Sequence, residues 1–209
     1  MITMEFVEGI SIDQVDEMAK LGIRPSKISH LLNDCFNKQI FELGVVHADP
    51  HSGNLFVAKE NNQETLILLD HGVYKYLTPD SKLGYAKVWK GIFDQDEAQI
   101  KEGAILSGVK KKGIYYRMFA SMLTTKTWEE IMDGSDQSVK DRLGVSFDLE
   151  SKRETQEKSK LWMREINECL LEVNQDLLLV LKVNEYLKSL NYKLGQPTDT
   201  FYYIVSYCC

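Results

Sequence analysis

Residues 47–54 read His-Ala-Asp-Pro-His-Ser-Gly-Asn, and residues 68–72 read Leu-Leu-Asp-His-Gly. The two stretches place Asp49, Asn54 and Asp70 around two short apolar runs. In phosphoryl transfer a protein does little covalent chemistry, because its side chains chiefly position groups and neutralise charge. Asp49 can orient an attacking hydroxyl or water, whereas Asn54 and Asp70 supply the oxygen ligands that Mg²⁺ prefers. The pattern therefore predicts a site that holds a nucleoside triphosphate through magnesium.

The apolar runs between Asn54 and Asp70 predict how these two residues meet. Residues 55–58 and 65–69 are rich in strand-forming side chains and flank the polar residues 59–64, which indicates a β-hairpin. Asn54 precedes the first strand and Asp70 follows the second, so an antiparallel hairpin brings both side chains to the same end. Neighbouring glycines at positions 53 and 72 are expected to let the backbone turn sharply beside each ligand.

The remainder of the chain predicts helices around this hairpin, so the expected fold class is mainly α with a small β-hairpin. Residues 1–7 are expected to form a short strand, Ser11 to cap a first helix, and Pro25 to open a second helix that Gly44 ends. Downstream, the apolar spacing predicts only helices: one after Thr78-Pro79, one from Asp94, one over 115–132, and a long helix or helix pair over 161–190.

Four segments follow from this reading. Residues 1–9 form a strand at the edge of the site, and residues 10–132 form a helical domain that carries the catalytic loop (47–54) and the metal loop (70–72). Residues 133–160 are polar with little apolar periodicity and predict a loop or insert, and residues 161–209 predict C-terminal helices and a tail.

Composition limits the classes of function. With 209 residues and 44% hydrophobic residues the chain can form one domain with a sizeable core. A net charge of −6 argues against a nucleic-acid partner, which would normally meet a basic face. No apolar run reaches the length of a membrane span, and no targeting signal is visible. Four irregularly spaced cysteines favour a reducing compartment.

The histidines of the first stretch allow a second interpretation. His47, Asp49 and His51 form an H-x-D-x-H pattern that could bind a transition metal in a hydrolase. Pro50 and Gly53 disfavour the regular strand that would align the three side chains. We therefore expect His47 to be structural, packing below the loop and hydrogen-bonding to backbone so that Asp49 is held in place.

Three segments together resemble one family. Residues 4–9 (Met-Glu-Phe-Val-Glu-Gly), 47–54 and 68–72 are similar to the UbiB family of atypical kinases, also called the AarF-domain-containing or ADCK family. The resemblance implies a protein-kinase-like fold, binding of ATP with Mg²⁺, ATPase behaviour and a link to quinone or lipid metabolism. It also implies a mitochondrial location, for which this chain itself carries no signal.

The resemblance assigns roles residue by residue. Glu5 and Val7 would be hinge residues whose backbone meets the adenine, Asp49 the catalytic-loop aspartate, and Asn54 and Asp70 the magnesium ligands. His71 stands where kinases usually have phenylalanine, as in one branch of the family. No Ala-Pro-Glu follows the metal loop, so the acceptor is expected to be a lipid or quinone-pathway small molecule rather than a protein.

The resemblance also leads us to expect only the C-terminal lobe of such a kinase, since the hinge-like segment starts at the beginning of the chain. The family's K-x-G-Q element belongs before the N-terminal lobe, so the spelling Lys193-Leu-Gly-Gln196 near the other end is taken as coincidence. Two alternatives stay open: a non-catalytic pseudokinase fragment that binds a protein partner through its N-lobe-facing surface, and a small-molecule phosphotransferase of the aminoglycoside-kinase type.

Overall fold

Helices dominate the computed structural model, which describes residues 6–109, 113–124, 126–132, 169–195 and 200–208. Among these residues five short strands are found: β1 (Ile10–Ser11), β2 (Val45–His47), β3 (Leu55–Glu60), β4 (Gln63–Leu68) and β5 (Tyr74–Tyr76). The α-helices are α1 (Val15–Lys20), α2 (Pro25–Asn37), α3 (Pro79–Asp94), α4 (Glu97–Leu106), α5 (Tyr115–Thr124), α6 (Trp128–Met132), α7 (Gln175–Lys193) and α8 (Thr200–Cys208). The mainly α class with a small hairpin is confirmed.

The predicted hairpin is present as β3 and β4, with β1 added at its other edge. Its strands are longer than expected, because the turn takes only Asn61 and Asn62 rather than all of residues 59–64. Both asparagines have positive φ, at 48° and 64°. Asparagine tolerates this conformation better than most residues, and such two-residue turns match the right-handed twist of paired strands.

A second sheet, which the sequence did not predict, pairs β2 with β5. Val45 lies opposite Tyr76 and His47 lies opposite Tyr74. Each strand has only three residues, too few for apolar alternation to stand out in the sequence. This sheet joins the segment entering the catalytic loop to the segment leaving the metal loop.

The N-terminal elements differ from the prediction in position. Residues 6–9 have no regular secondary structure, the first strand is β1, and residues 1–5 lie outside the described part of the chain. Ser11 pairs with Phe56 in the sheet, so α1 begins later, at Val15. One of the two capping-box hydrogen bonds is present, since the Ser11 amide donates to Oε1 of Gln14 at 3.1 Å.

Helix α2 begins at Pro25 as predicted and continues into a π-helical segment, Lys38–Leu43. Gly44 ends it with φ of +65°, a left-handed conformation that favours glycine. Helix α3 also begins as predicted, because Thr78 caps it by accepting from the Ser81 amide at 3.1 Å.

Two downstream boundaries were predicted wrongly. Asp94 ends α3 instead of starting a helix, because Gln95 takes φ of +58° and Asp96 then caps α4. Residues 115–132 contain two helices, α5 and α6, instead of one. The expected 133–160 segment lies outside the described residues, as do 161–168 of the expected long helix. The described part of that segment has helical residues at 169–172, a break at 173–174, and then α7, which Asn174 caps. Helix α8 follows within residues 161–209, for which C-terminal helices and a tail were expected.

Glycines bring α3 and α4 close together. A Cβ atom at Gly103 would lie 2.6 Å from the carbonyl oxygen of Gly84 and 2.7 Å from the amide nitrogen of Val88. No side chain fits at such distances, so the two backbones pack directly against each other.

Helix α7 is held against the first half of the chain by buried polar side chains. Asn191 accepts from Oγ of Ser29 at 2.8 Å and exchanges two hydrogen bonds of 3.3 Å with Asn33 on α2. Asn184 donates to the hydroxyl of the fully buried Tyr85 on α3. Buried amides that find partners in this way fix the position of a helix more narrowly than apolar contacts alone.

Candidate active site

The β3–β4 hairpin places Asn54 and Asp70 at one end of the small sheet. Leu55 lies opposite Leu68, and the Leu69 amide donates to the carbonyl oxygen of Asn54 at 2.9 Å. Asn54 is therefore next to the residue that precedes Asp70, across the last rung of the ladder. Residues distant in sequence become neighbours because the antiparallel turn folds the chain back.

His47 joins the catalytic loop to the metal loop. Its side chain is 1% exposed. Its Nδ1 accepts from the Asp49 amide at 3.3 Å, and its Nε2 meets the carbonyl oxygen of Asp70. An acceptor at Nδ1 and a donor at Nε2 define a single neutral tautomer, protonated on Nε2. The structural role expected for His47 is thus what its contacts show.

These contacts weigh against a metal site built on His47. A histidine ligand needs a free ring nitrogen lone pair, and in this tautomer the only one accepts from the Asp49 amide. Within the described ranges, no group of three or more His, Cys, Asp or Glu side chains could hold a metal ion.

Asp49 presents its carboxylate to solvent between two basic side chains. The side chain is 42% exposed, with Oδ2 at 3.7 Å from Nε2 of His51 and Oδ1 at 3.9 Å from Nζ of Lys182. Its backbone is fixed, since its carbonyl oxygen accepts from Nδ2 of Asn54 at 3.2 Å. A carboxylate on a fixed backbone with an open face can accept or orient the proton of an incoming hydroxyl.

Asn54 and Asp70 offer oxygen atoms suited to a hard cation. Asn54 is buried, and its amide nitrogen donates to the carbonyl oxygen of Asp49. Its amide oxygen is therefore the atom that can bind a cation. Asp70 is exposed and accepts from the Gly72 amide through Oδ1 at 2.7 Å. An amide oxygen and a carboxylate suit Mg²⁺ better than a soft transition metal. The donor set of these loops therefore fits the ion that the resemblance implies.

The two loop glycines act differently from the prediction. Neither Gly53 nor Gly72 has positive φ, so neither provides a left-handed turn. A Cβ at Gly72 would lie 3.0 Å from Oδ1 of Asp70, and a Cβ at Gly53 would lie 3.0 Å from the His51 ring. These positions favour glycine because polar side chains fold back closely over the backbone.

Aromatic and hydroxyl groups that the sequence did not single out surround the loops. Tyr74 packs edge-on against His47, and its hydroxyl lies 2.7 Å from Nδ1 of His71. Burial raises the pKa of Tyr74, which keeps the hydroxyl neutral. On the other side, Ser11 donates to Asp13 and to the carbonyl oxygen of Ser52. Hydrogen bonds from the Ser11 and Ser52 side chains lower the pKa of Asp13.

Two predicted residues, Glu5 and Val7, come from the first ten residues of the chain. Glu5 is outside the described residues, and Val7 is half-buried in the segment without regular structure that leads into β1. Their contact with an adenine stays a prediction. Lys182, in contrast, was not predicted at this site, and no local pattern could have indicated it.

The fold and the loops define a class. A helical domain whose hairpin joins an Asp-x-x-x-x-Asn loop to an Asp-x-Gly loop has the catalytic architecture of protein-kinase-like proteins. The family model described as the ABC1 atypical kinase-like domain matches residues 1–104. The chain belongs to this family of ABC1, or AarF-domain, atypical kinase-like proteins.

Full-length relatives agree with this membership. A putative ABC1 protein of Arabidopsis thaliana is 34% identical over 208 residues, covering 95% of this chain and 38% of the relative. AarF domain-containing protein kinase 1 is 31% identical over 211 residues in Xenopus laevis, covering 100% of this chain and 39% of the relative. The mouse protein of the same name is 32% identical over 211 residues, with coverages of 100% and 38%. The chain thus spans less than two fifths of these relatives.

Two further findings accompany these matches. No solved structure matches the chain significantly. Among the described residues, no helix has both the length and the apolar character needed to cross a membrane.

Proposed function

We propose that this chain carries out Mg²⁺-dependent chemistry on ATP, as an ATPase or as a phosphotransferase to a small molecule or lipid. The observation that carries the proposal is the His47 bridge, which holds the Asp49 backbone and the Asp70 backbone in one unit. Membership of an atypical kinase-like family supports it. Because the chain spans 38–39% of its relatives, the activity of the whole protein is part of the proposal.

Each loop has a distinct task in this proposal. Asn54 and Asp70 hold the ion, which when bound neutralises charge on the phosphates. Asp49 takes or orients the proton of the attacking hydroxyl or water at its exposed carboxylate. His47 keeps both loops in register through its two backbone contacts. The backbone at Glu5 and Val7 contacts the adenine.

The acceptor and the compartment follow from the family resemblance. A lipid or a quinone-pathway small molecule is the proposed acceptor, and the mitochondrion is the proposed location. Both rest on the likeness to UbiB-type proteins rather than on any signal in the described residues.

Calorimetry with Mg-ATP tests the proposal on this chain. We expect the wild type to bind at micromolar affinity, Asp70→Ala to lose binding, and Asp49→Asn to bind ATP but lose turnover. Asp80→Ala is the matched control, because Asp80 is an exposed aspartate in the first turn of α3, outside both loops. A wild type that does not bind Mg-ATP would contradict the proposal and favour the non-catalytic alternative.

A further inference from the structure

A lysine from a distant part of the sequence lies beside Asp49. Lys182 is on α7, and its Nζ is 3.9 Å from Oδ1 of Asp49. Residues 47–54 and 70–72 contain no lysine or arginine, so α7 brings a basic side chain to these loops. We propose that Lys182 is a catalytic residue that contacts the terminal phosphate of ATP next to Asp49. The inference rests on the proposed function.

Helix α7 holds the Lys182 backbone in place while its side chain stays accessible. The neighbouring Val180 and Val183 are fully buried, and Asn184 donates to the buried hydroxyl of Tyr85. The Lys182 side chain itself is 49% exposed. A flexible stem on an anchored helix can reach a ligand without moving the backbone.

The contact with Asp49 leaves the ammonium group unsaturated. Charge-assisted hydrogen bonds between an ammonium and a carboxylate measure about 2.7–2.9 Å, and the observed 3.9 Å is well beyond this. Among the described residues, Nζ also lies over the face of Tyr186, 5.6 Å from the ring centroid. An ammonium group has three N–H donors, and neither of these contacts is a hydrogen bond of normal length. Donors are therefore available for a third partner.

The terminal phosphate is the partner whose position suits these donors. A catalytic aspartate that orients the attacking group must lie next to the phosphoryl group under attack. A cation within 4 Å of that aspartate is within reach of the same phosphoryl oxygens. Charge spreads over those oxygens in the transition state, and a fixed cation stabilises it.

A second lysine on α7 provides the comparison. Lys188 forms a 2.8 Å ion pair with Glu185 on the same helix and is engaged there at normal distance. It carries the same charge on the same helix but contacts neither loop. Lys188→Met is therefore a matched control for Lys182→Met.

Paired titrations with Mg-ATP and Mg-ADP test the inference, because only ATP carries the terminal phosphate. Lys182→Met should weaken Mg-ATP binding by about tenfold or more, in line with the loss of a charged hydrogen bond. Mg-ADP affinity should stay unchanged, Lys182→Arg should restore most of the ATP affinity, and Lys188→Met should match the wild type. Thermal unfolding should show all variants folded.

Two results would overturn the inference, and they can be told apart. If Lys182→Met weakens both nucleotides equally or neither, while Asp70→Ala still abolishes binding, the lysine assignment fails and the proposed function stands. If the wild type binds neither nucleotide, the proposed function fails and the assignment fails with it.

Discussion

Replacing His47 by phenylalanine should separate the two loops without removing either. Phenylalanine keeps an aromatic ring edge-on against Phe36 and Tyr74, although its six-membered ring is larger than imidazole. It cannot accept from the Asp49 amide or donate to the Asp70 carbonyl, so both backbone groups lose their partner. The perturbation is therefore the loss of two hydrogen bonds in a buried position, and the control below carries the same increase in ring size.

The expected cost follows from those two bonds. A typical hydrogen bond contributes about 0.5–1.5 kcal/mol net, so the free energy of unfolding should fall by about 1–3 kcal/mol. Mg-ATP affinity should also fall, by about tenfold, because no side chain then hydrogen-bonds to the backbone of both Asp49 and Asp70 in place of His47.

Urea unfolding followed by circular dichroism measures the first quantity, and calorimetry measures the second. His30→Phe is the control, because His30 is exposed on α2 and its hydrogen-bond contact with Tyr203 is 3.3 Å long. We expect this control to lie within about 0.5 kcal/mol of the wild type. A His47→Phe protein with wild-type stability and wild-type Mg-ATP affinity would refute the bridging role.

Three further predictions concern stability. Gly103→Ala should lower the free energy of unfolding in urea by about 1–3 kcal/mol, because its Cβ would lie 2.6 Å from the Gly84 carbonyl oxygen. The control, Ala98→Gly on the exposed face of α4, should lower it by only about 1 kcal/mol. Asn191→Leu should cost about 1–3 kcal/mol by removing the acceptor of the Ser29 hydroxyl and the donor to Oδ1 of Asn33, and a neutral result would show that these hydrogen bonds add nothing. Arg24 lowers the pKa of Glu64 from 4.5 to about 2 through its hydrogen bonds, so their pair stabilises the fold above pH 4.5 and loses its effect as the pH falls toward 2. Arg24→Gln should therefore have a lower free energy of unfolding than the wild type at pH 6, and the difference should shrink as the pH falls from 4.5 toward 2. A difference that does not change with pH would contradict this prediction.

Local features of this protein could be predicted because consecutive residues carry them. The apolar runs at 55–58 and 65–69 and the polar residues between them indicate a hairpin, and a hairpin places the residues at its two ends side by side. The positions of Asn54 and Asp70 follow from that rule alone. Caps such as Thr78 and stops such as Gly44 are equally local, since each depends on one residue's own hydrogen bonds or φ angle.

Errors in the predicted boundaries arose where a distant strand or an unusual conformation overrode a local preference. Ser11 has the chemistry of a helix cap, but pairing with Phe56 draws it into a strand. Asp94 has the chemistry of a helix start, but α3 runs through it until Gln95 turns left-handed. In both cases the local signal was real, and the surrounding structure selected a different residue for the role.

The sequence by itself determined which side chains stand on the catalytic and metal loops, and that those loops meet at one end of a hairpin. Only the tertiary structure decided how the loops are held and what faces them. The tautomer of His47 depends on a carbonyl that the β2–β5 pairing brings near, and Lys182 reaches Asp49 because α7 packs across the domain. Contacts of this kind depend on how whole elements pack, which the spacing of neighbouring residues does not encode.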